Sequence, residues 1–222
     1  RLLPFNSPAA HGLRSYASEL GELRRRSPRD DLVSTLVHAE VGGERLTDEE
    51  YTNFFRLLVF AGNETTRSAM SHLALQWVMF PEQFERLSAE PKLLDSAVEE
   101  VVRYASPILY FRRTAMCDTT LAGTPIKAGE RVVMWYASAN FDEAQFEDAM
   151  RFDVSRPRSI KHAGFGGGGV HICLGAWLAR LELKALLSEI SDRGIRCELA
   201  APPEYVSSNF VNGIEHLEVN IY

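Results

Sequence analysis

The residues best suited to carry out chemistry lie together in one loop, Phe165-Gly166-Gly167-Gly168-Gly169-Val170-His171-Ile172-Cys173-Leu174-Gly175. The apolar segment that follows predicts a helix over residues 174–192. Backbone N–H groups at the start of a helix, together with the helix dipole, favour an anionic sulfur. Glycines let the backbone pass close to a large flat ligand, where a Cβ would collide. A lone thiolate with an open position opposite it suits a metal that activates oxygen. The loop therefore predicts a metal-thiolate site at Cys173.

Three other interpretations of this loop remain open from the residues alone. A lone cysteine is usually a small buried hydrophobe. A glycine-rich loop before a helix often binds phosphate, although the Lys-Ser/Thr pair that a P-loop requires does not follow here. A thiol nucleophile paired with His171 is the third, but a base rarely approaches a catalytic cysteine from two residues away. The metal thiolate explains more of the loop's features than any of these.

The same loop resembles the haem-binding signature of the cytochrome P450 family, Phe-Gly-x-Gly-x-His-x-Cys-x-Gly. The matching residues, in order, are Phe165, Gly166, Gly168, His171, Cys173 and Gly175. The resemblance implies that Cys173 is the axial iron ligand of haem b, that His171 contacts a haem propionate, and that Phe165 packs near the sulfur. It also implies that the chain forms the C-terminal part of the cytochrome P450 fold.

Glu100 and Arg103 resemble the E-x-x-R motif of the same family. From the pattern alone, they lie opposite the apolar stripe of a predicted helix over residues 93–105 and form an ordinary solvated ion pair. The resemblance implies instead that they are buried behind the haem and joined by Arg156 of the segment Phe152-Asp153-Val154-Ser155-Arg156. Because buried ion networks are a poor route to stability, we interpret this one as fixing the loop that presents Cys173.

The segment Ala61-Gly62-Asn63-Glu64-Thr65-Thr66 lies inside a long predicted helix and resembles the oxygen-binding motif of the family. By that resemblance, Ala61 and Gly62 lie beside the cofactor, Thr65 hydrogen-bonds dioxygen, and Glu64 helps to deliver protons. Without it, Gly62 is a mildly destabilising helix glycine, and Glu64 and Thr65 are surface residues. Arg113 matches the position of a propionate-binding arginine, and the adjacent Arg112 is the alternative.

The composition limits the classes of function. The net charge of −6 and the pI near 5.6 argue against nucleic acid as a main partner. Three cysteines in 222 residues do not make a disulfide scaffold, so we expect a reducing, cytoplasmic compartment. We find no apolar run that predicts a transmembrane segment. Because the first residue is Arg1 rather than Met, we expect residues 1–222 to be a partial catalytic domain whose N-terminal half is absent.

The elements that position these motifs are mostly helical. Thr47 and Glu50 form a predicted capping box for a helix that runs to Phe80, and Pro81 begins the next helix. Strands and turns are predicted after Pro107, with one strand over residues 131–136, and Asn212-Gly213 predicts the tight turn of a C-terminal hairpin. The helix over residues 174–192 is apolar on nearly every side, so we expect it to be buried. The fold class is α+β and mainly α, with a long central helix, small β-sheets and the cysteine loop.

The resemblance implies a monooxygenase that inserts one oxygen atom from O2 into a C–H bond. Electrons would come from NAD(P)H through ferredoxin and ferredoxin reductase. Arg158, Lys161 and His162 form either a basic patch for an acidic ferredoxin or a solvated charge cluster. Residues 131–143 and 211–216 resemble the bacterial sterol 26-monooxygenase branch, which implies a small apolar substrate such as a sterol side chain or a terpenoid. The alternatives are a peroxide-using fatty-acid hydroxylase and a haem-binding fragment or sensor without turnover.

Overall fold

The computed structural model describes residues 7–159 and 161–222. They divide into two compact units, of which the first ends at Asn63 and the second begins at Glu64. A partial domain is expected because the first residue is Arg1, and Arg1 lies outside the described residues.

The first unit is mainly helical. It contains helix α1 (Pro8–Arg26), helix α2 (Leu32–His38), the short strands β1 (Glu40–Val41) and β2 (Glu44–Arg45), and the start of helix α3 (Asp48–Met79). Ser7 and Asp31 cap α1 and α2, because their side-chain oxygens accept the backbone N–H groups of Ala10 and Ser34. β1 and β2 pair antiparallel and lead into α3.

Helix α3 begins at the predicted capping box. Thr47 Oγ1 accepts the Glu50 N–H at 3.2 Å, and Glu50 Oε2 accepts the Thr47 N–H at 2.8 Å. The helix then continues for 32 residues, close to its predicted end, and Pro81 begins helix α4 (Pro81–Ala89) as predicted. Neither α3 nor any other described helix is long and apolar enough to cross a membrane.

The core of the second unit lies between helices. The unit adds helix α5 (Leu94–Ala105), the short helix α6 (Tyr136–Asn140) and helix α7 (Ala176–Asp192). The apolar stripe predicted on α5 is buried, because α5 packs against α7. Helix α4 also packs against α7. The main contributors are Ala97, Val98, Val101 and Val102 of α5 with Leu183 and Leu187 of α7.

The strands form two-stranded antiparallel sheets. β3 (Tyr110–Thr114) pairs with β6 (Arg131–Trp135), and β4 (Thr119–Leu121) pairs with β5 (Thr124–Ile126). Near the C-terminal end, β7 (Cys197–Leu199) pairs with β10 (Val219–Ile221), and β8 (Glu204–Tyr205) pairs with β9 (Ile214–His216). The fold is therefore α+β, mainly α, with small sheets, as predicted from the sequence.

The predicted tight turn at Asn212-Gly213 is wrong. The connection between β8 and β9 is longer, and Val206 N–H donates to the Gly213 carbonyl oxygen at 2.9 Å. Asn212 instead makes contacts outside the hairpin. Its Nδ2 donates to the Ala105 carbonyl oxygen at 2.7 Å, and its own carbonyl oxygen accepts a hydrogen bond from His72 Nε2 at 3.0 Å. These tertiary hydrogen bonds override the local turn propensity of the Asn-Gly pair.

The prediction that α7 is buried on nearly every side is also wrong. Leu183 and Leu187 face the core, but Trp177 is 81% exposed, and Leu178 and Leu181 are exposed too. A helix packs along one stripe, and α7 uses that stripe against α4 and α5. Apolar composition alone did not distinguish this stripe from the exposed side that continues from the cysteine loop.

Candidate functional site

The loop that presents Cys173 has a backbone conformation that favours glycine. Gly166, Gly168 and Gly169 have φ values of 90°, 94° and 75°. The Cys173 N–H donates to the Phe165 carbonyl oxygen at 3.0 Å, which closes the loop on itself. The Cys173 carbonyl oxygen accepts the first N–H of α7 at 3.3 Å. Cys173 is therefore held directly before α7, close to where the sequence predicted the start of a helix.

The loop departs from the family signature in its spacing. Gly169 and Val170 stand between Gly168 and His171, where the signature has a single residue. The structure takes up the additional residue in a 3-10 turn over Gly169–His171, which begins at a positive φ. His171 and Cys173 remain two positions apart, so the spacing next to the sulfur is that of the signature.

The surroundings of Cys173 fit haem. Cys173 is exposed, as are its apolar neighbours Val170 and Leu174. A Cβ on Gly168 or Gly175 would meet no atom within 4 Å, so the backbone there can lie against a flat ligand. Among the described residues, no group of three or more His, Cys, Asp or Glu side chains could hold a metal ion. A single thiolate suits haem iron, whose equatorial ligands come from the porphyrin, and does not suit a structural zinc or calcium site.

The Glu100–Arg103 pair is buried, so the solvated-face interpretation is wrong. Each residue is only 1% exposed, and Arg103 Nε and Nη2 donate to the Glu100 carboxylate at 2.7 and 2.8 Å. Arg156 Nε joins the same carboxylate at 3.2 Å, as the resemblance implies. Arg103 also donates to three backbone carbonyl oxygens, those of Asn140, Ala149 and Arg151. The irregular chain between α6 and the cysteine loop thus covers the pair. The apolar pattern of α5 could not predict this burial, because the covering residues lie outside α5.

Asn140 links this ion network to the cysteine loop. Its side chain is fully buried, and its Oδ1 accepts the Ala163 N–H at 2.6 Å. Its Nδ2 donates to Ser106 Oγ at 2.9 Å, while its carbonyl oxygen accepts the hydrogen bond from Arg103. The chain just before Phe165 is therefore tied to the buried Glu100–Arg103 pair, as the interpretation of that pair requires.

A second carboxylate of α5, Glu99, contacts both sides of the cysteine loop. Arg180 of α7 donates to it through Nε and Nη2 at 2.6 and 2.9 Å, and His162 Nε2 lies 3.1 Å from its Oε2. Burial raises the pKa of Glu99, but these hydrogen bonds outweigh burial and hold the pKa at about 2, below its usual 4.5. The Arg180 guanidinium lies 4.3 Å from the centroid of the Phe165 ring.

The predicted basic patch of Arg158, Lys161 and His162 does not form as a unit. The His162 side chain is 6% exposed and turned towards Glu99, and Arg158 Nη1 lies 3.3 Å from Asp95 Oδ2. Lys161, the third residue, is exposed to solvent. The acidic residues of α5 attract the other two, and the sequence alone did not show that α5 lies beside them.

The oxygen-motif residues lie in the middle of α3. Gly62 has open space where a Cβ would be, with no atom within 4 Å. Glu64 accepts a hydrogen bond from Arg67 Nη2 at 2.7 Å, one helical turn later, and Thr65 is half-buried. Arg67 is a charged partner of Glu64 that the sequence analysis did not identify, although an (i, i+3) Glu-Arg spacing was the available signal.

The β3–β6 sheet separates the two candidate propionate ligands. Because successive side chains of a strand alternate, Arg112 and Arg113 extend from opposite faces. Phe111 shares the face of Arg113 and packs on Tyr136, with 5.9 Å between ring centroids. The Tyr136 hydroxyl in turn lies 3.8 Å from the Cβ position of Gly166 in the cysteine loop. This chain of contacts favours Arg113 as the arginine on the side of the loop.

Comparison with known proteins places this loop in a family. The family model for cytochrome P450 matches residues 15–190, well over half of the chain. The chain belongs to the cytochrome P450 family. Haem iron with a thiolate ligand is the general cofactor of cytochromes P450, and the fit of the Cys173 loop agrees with it.

Several cytochromes P450 are similar to this chain. The methyl-branched lipid omega-hydroxylase of Mycobacterium tuberculosis is 47% identical over 206 residues, which are 92% of this chain and 48% of that protein. The steroid C26-monooxygenase of Rhodococcus jostii is 43% identical over 206 residues, which are 92% of this chain and 43% of that protein. A cytochrome P450 of Mycobacterium marinum, solved in complex with pseudoionone, matches with a TM-score of 0.88 and 46% identity over 94% and 50% of the two chains. The chain thus spans about half the length of these relatives.

Three residues that hold the cysteine loop of this cytochrome P450 escaped the sequence analysis. They are Glu99, Asn140 and Arg180. An arginine among the apolar residues of α7, and a second glutamate beside the E-x-x-R motif, were the available signals. Neither signal identifies a partner, because the partners are up to 81 residues apart along the chain.

Proposed function

We propose that Cys173 binds the iron of haem b and that the protein is a haem-dependent monooxygenase, which inserts one oxygen atom from O2 into a C–H bond of an apolar substrate. The observation that carries the proposal is the exposed Cys173 thiol at the end of a closed glycine loop, in a chain of the cytochrome P450 family. Since the chain spans about half of its relatives, the activity of the whole protein is part of this proposal.

The residues of the loop and of β3 have distinct roles in this proposal. When bound, haem supplies the iron at which dioxygen is activated, and a thiolate ligand favours O–O cleavage. Phe165 shields the sulfur, and Gly166, Gly168 and Gly175 keep the loop backbone free of side chains beside the ring. His171 and Arg113 contact the propionates, because a cationic or hydrogen-bonding side chain is the natural partner of a carboxylate.

The α3 residues would control the proton supply. Ala61 and Gly62 are small, which leaves room beside the cofactor. The Thr65 hydroxyl both donates and accepts hydrogen bonds, so it can relay a proton, and the adjacent Glu64 side chain can supply one after it has taken up a proton from water. Arg67, 2.7 Å from Glu64, would hold the Glu64 carboxylate in place between transfers. A peroxide-using enzyme has no need of this acid–alcohol pair, which is why we favour O2 as the oxidant.

The substrate is proposed to be a long apolar lipid, most specifically a sterol side chain, with a branched lipid or terpenoid next. Ile108 and Val211 form a β-bridge, and Leu109 N–H donates to the Phe210 carbonyl oxygen at 2.9 Å. This joins the chain after α5 to the tail segment, where Ile108, Leu109 and Phe210 offer partly exposed apolar surface and Val211 is buried. Such a surface favours an apolar ligand by about 25 cal/mol per Å2 buried. The names of the similar enzymes, a methyl-branched lipid hydroxylase and a steroid C26-monooxygenase, support the same class.

Redox proteins complete the proposal. Cytochromes P450 of this kind generally take electrons from redox partners, and we propose ferredoxin and ferredoxin reductase, with NAD(P)H as the source. Lys161 is exposed and would contribute to such a contact, whereas His162 is turned towards Glu99 and would not.

Product formation tests this function directly. Full-length protein with a ferredoxin, its reductase, NAD(P)H and O2 should hydroxylate the side-chain end of a cholestenone, and the substrate should cause a low-to-high-spin shift. Product from hydrogen peroxide alone, at a rate equal to that with O2 and reductant, would support the peroxide-using alternative. Haem binding without any product under either condition would support the sensor. Spin shifts with small bicyclic terpenes or macrolides, and none with sterols or branched lipids, would refute the substrate class alone.

A further inference from the structure

Glu99 is placed to act on the cysteine loop from both of its ends. We propose that Glu99 is a positioning residue that fixes the Cys173 sulfur by holding the segment before the loop and the helix after it. The proposal rests on the proposed function, in which Cys173 is the iron ligand. Glu99 does not touch the sulfur, so its effect passes through His162 and Arg180 to Phe165, which both of them contact.

Before the loop, Glu99 acts through His162. The His162 Nδ1 atom accepts the Gly164 N–H at 3.0 Å, so His162 Nε2 carries the proton that is donated to the Glu99 carboxylate. This tautomer is assigned from the hydrogen bonds. Gly164 is tightly enclosed, since a Cβ there would lie 2.7 Å from Val102 Cγ1 and 2.9 Å from His162 Nδ1. The chain that enters the loop therefore has little freedom to shift while the His162–Glu99 contact is intact.

After the loop, Glu99 acts through Arg180 of α7. Both Glu99 oxygens accept from the guanidinium, at 2.6 and 2.9 Å, which is the two-point geometry that fixes an arginine most firmly. The same guanidinium lies over the Phe165 ring, 4.3 Å from its centroid, and the centroids of the His162 and Phe165 rings are 5.8 Å apart. Phe165 therefore contacts both partners of one carboxylate.

Phe165 passes this restraint on to Cys173. Its carbonyl oxygen accepts the Cys173 N–H at 3.0 Å, the hydrogen bond that closes the loop. The other buried network reaches the chain at a different residue, because Arg103 binds the carbonyl oxygen of Asn140, whose Oδ1 accepts the Ala163 N–H. The two consecutive glutamates therefore serve different segments. The Glu100 network reaches the chain before the loop at Ala163, whereas Glu99 acts at Gly164 through His162 and on α7 through Arg180.

A matched control lies one helical turn earlier on α5. Asp95 also joins α5 to α7 and to the chain before the loop, through Lys184 at 2.7 Å and Arg158 at 3.3 Å. These contacts are exposed and do not reach Phe165. Glu99→Gln keeps the shape of the side chain and removes its charge, whereas Asp95→Asn makes the same change to an ion pair between the same two helices.

The experiment uses full-length, haem-loaded protein in wild-type, Glu99→Gln, Glu99→Ala and Asp95→Asn forms. For each, the thiolate-type Soret band of the reduced CO complex is followed with time at a fixed, mildly elevated temperature. The melting temperature and the haem content are measured separately. We expect both Glu99 variants to lose the band about tenfold faster than wild type, the factor that corresponds to one charge-assisted hydrogen bond. Asp95→Asn should match wild type.

The outcomes separate the two proposals. Glu99→Gln with a wild-type rate of band loss overturns the positioning role, whatever Glu99→Ala does. Equal acceleration in Glu99→Gln and Asp95→Asn also overturns it, because the effect would then belong to any α5–α7 ion pair. A Glu99→Ala chain that does not fold leaves Glu99→Gln to decide. Absence of the thiolate-type band in wild type itself refutes the proposed function instead.

Discussion

Removal of Glu100 should destabilise the protein far more than removal of a neighbouring surface carboxylate. In Glu100→Ala, the Arg103 guanidinium loses the partner of its two shortest carboxylate contacts, at 2.7 and 2.8 Å, and Arg156 loses one at 3.2 Å. The Asp153 N–H also loses its acceptor at 2.9 Å. Since Arg103 is 1% exposed, bulk solvent does not reach the guanidinium that loses its carboxylate partner.

The expected loss of stability in Glu100→Ala follows from the burial of the ion pair. A buried ion pair that loses one partner leaves a buried charge uncompensated, which costs roughly 3–5 kcal/mol. Three backbone carbonyl oxygens still accept from Arg103, and this favours the lower half of the range. Typical domains have only about 5–15 kcal/mol of stability, so the variant should yield little haem-loaded protein. Asp95→Ala, which breaks only exposed pairs, should cost at most about 1 kcal/mol.

Urea unfolding of the full-length protein measures the difference. The midpoint for Glu100→Ala should fall with an unchanged slope, since the surface exposed on unfolding is the same. Haem content per protein gives a second readout. A loss of less than about 1 kcal/mol, or a loss equal to that of Asp95→Ala, would refute the reasoning, because both results mean that the burial of Arg103 carries no penalty.

Three further predictions concern proton delivery, acid stability and packing. Thr65→Ala should bind substrate but divert electrons to hydrogen peroxide, since the hydroxyl relay is lost; an unchanged ratio of product to NAD(P)H would count against it. The pKa of Glu99 is lowered from 4.5 to about 2 in the folded protein, so the stability that wild type has over Glu99→Gln should be full above pH 4.5 and fade as the pH falls towards 2. A pH-independent difference in unfolding free energy would contradict that pairing. Gly164→Ala should reduce haem content because its Cβ meets Val102 Cγ1 at 2.7 Å, whereas Gly12→Ala, with no atom within 4 Å, should not; equal haem contents would argue against the packing.

Features of the fold that depend on neighbouring residues were predictable. The capping box of Thr47 and Glu50, the helix break at Pro81 and the apolar stripe of α5 all follow from contacts within a few positions. The helix that follows the cysteine loop also belongs to this group, because the apolar pattern of α7 is a local property.

Features that depend on which distant segments come together were not predictable from pattern. Glu100 and Arg103 are on the polar side of α5, yet residues between 140 and 156 fold over them. Asn212 has the residue type of a turn but hydrogen-bonds to α5 and α3 instead. His162 was assigned to a surface patch and lies against Glu99. In each case, a tertiary partner more than 35 positions away decided the outcome, and family resemblance supplied it only for the Glu100 network.

The central claim is that Cys173 is the thiolate ligand of haem iron, and the reduced CO-bound spectrum tests it most directly. Full-length wild-type protein should show the red-shifted Soret band that thiolate ligation gives. Cys173→His should lose that band, with haem content measured separately, while Cys197→Ser, a change at a half-buried cysteine of β7, should keep it. A Cys173→His protein that retains the thiolate-type band would contradict the account.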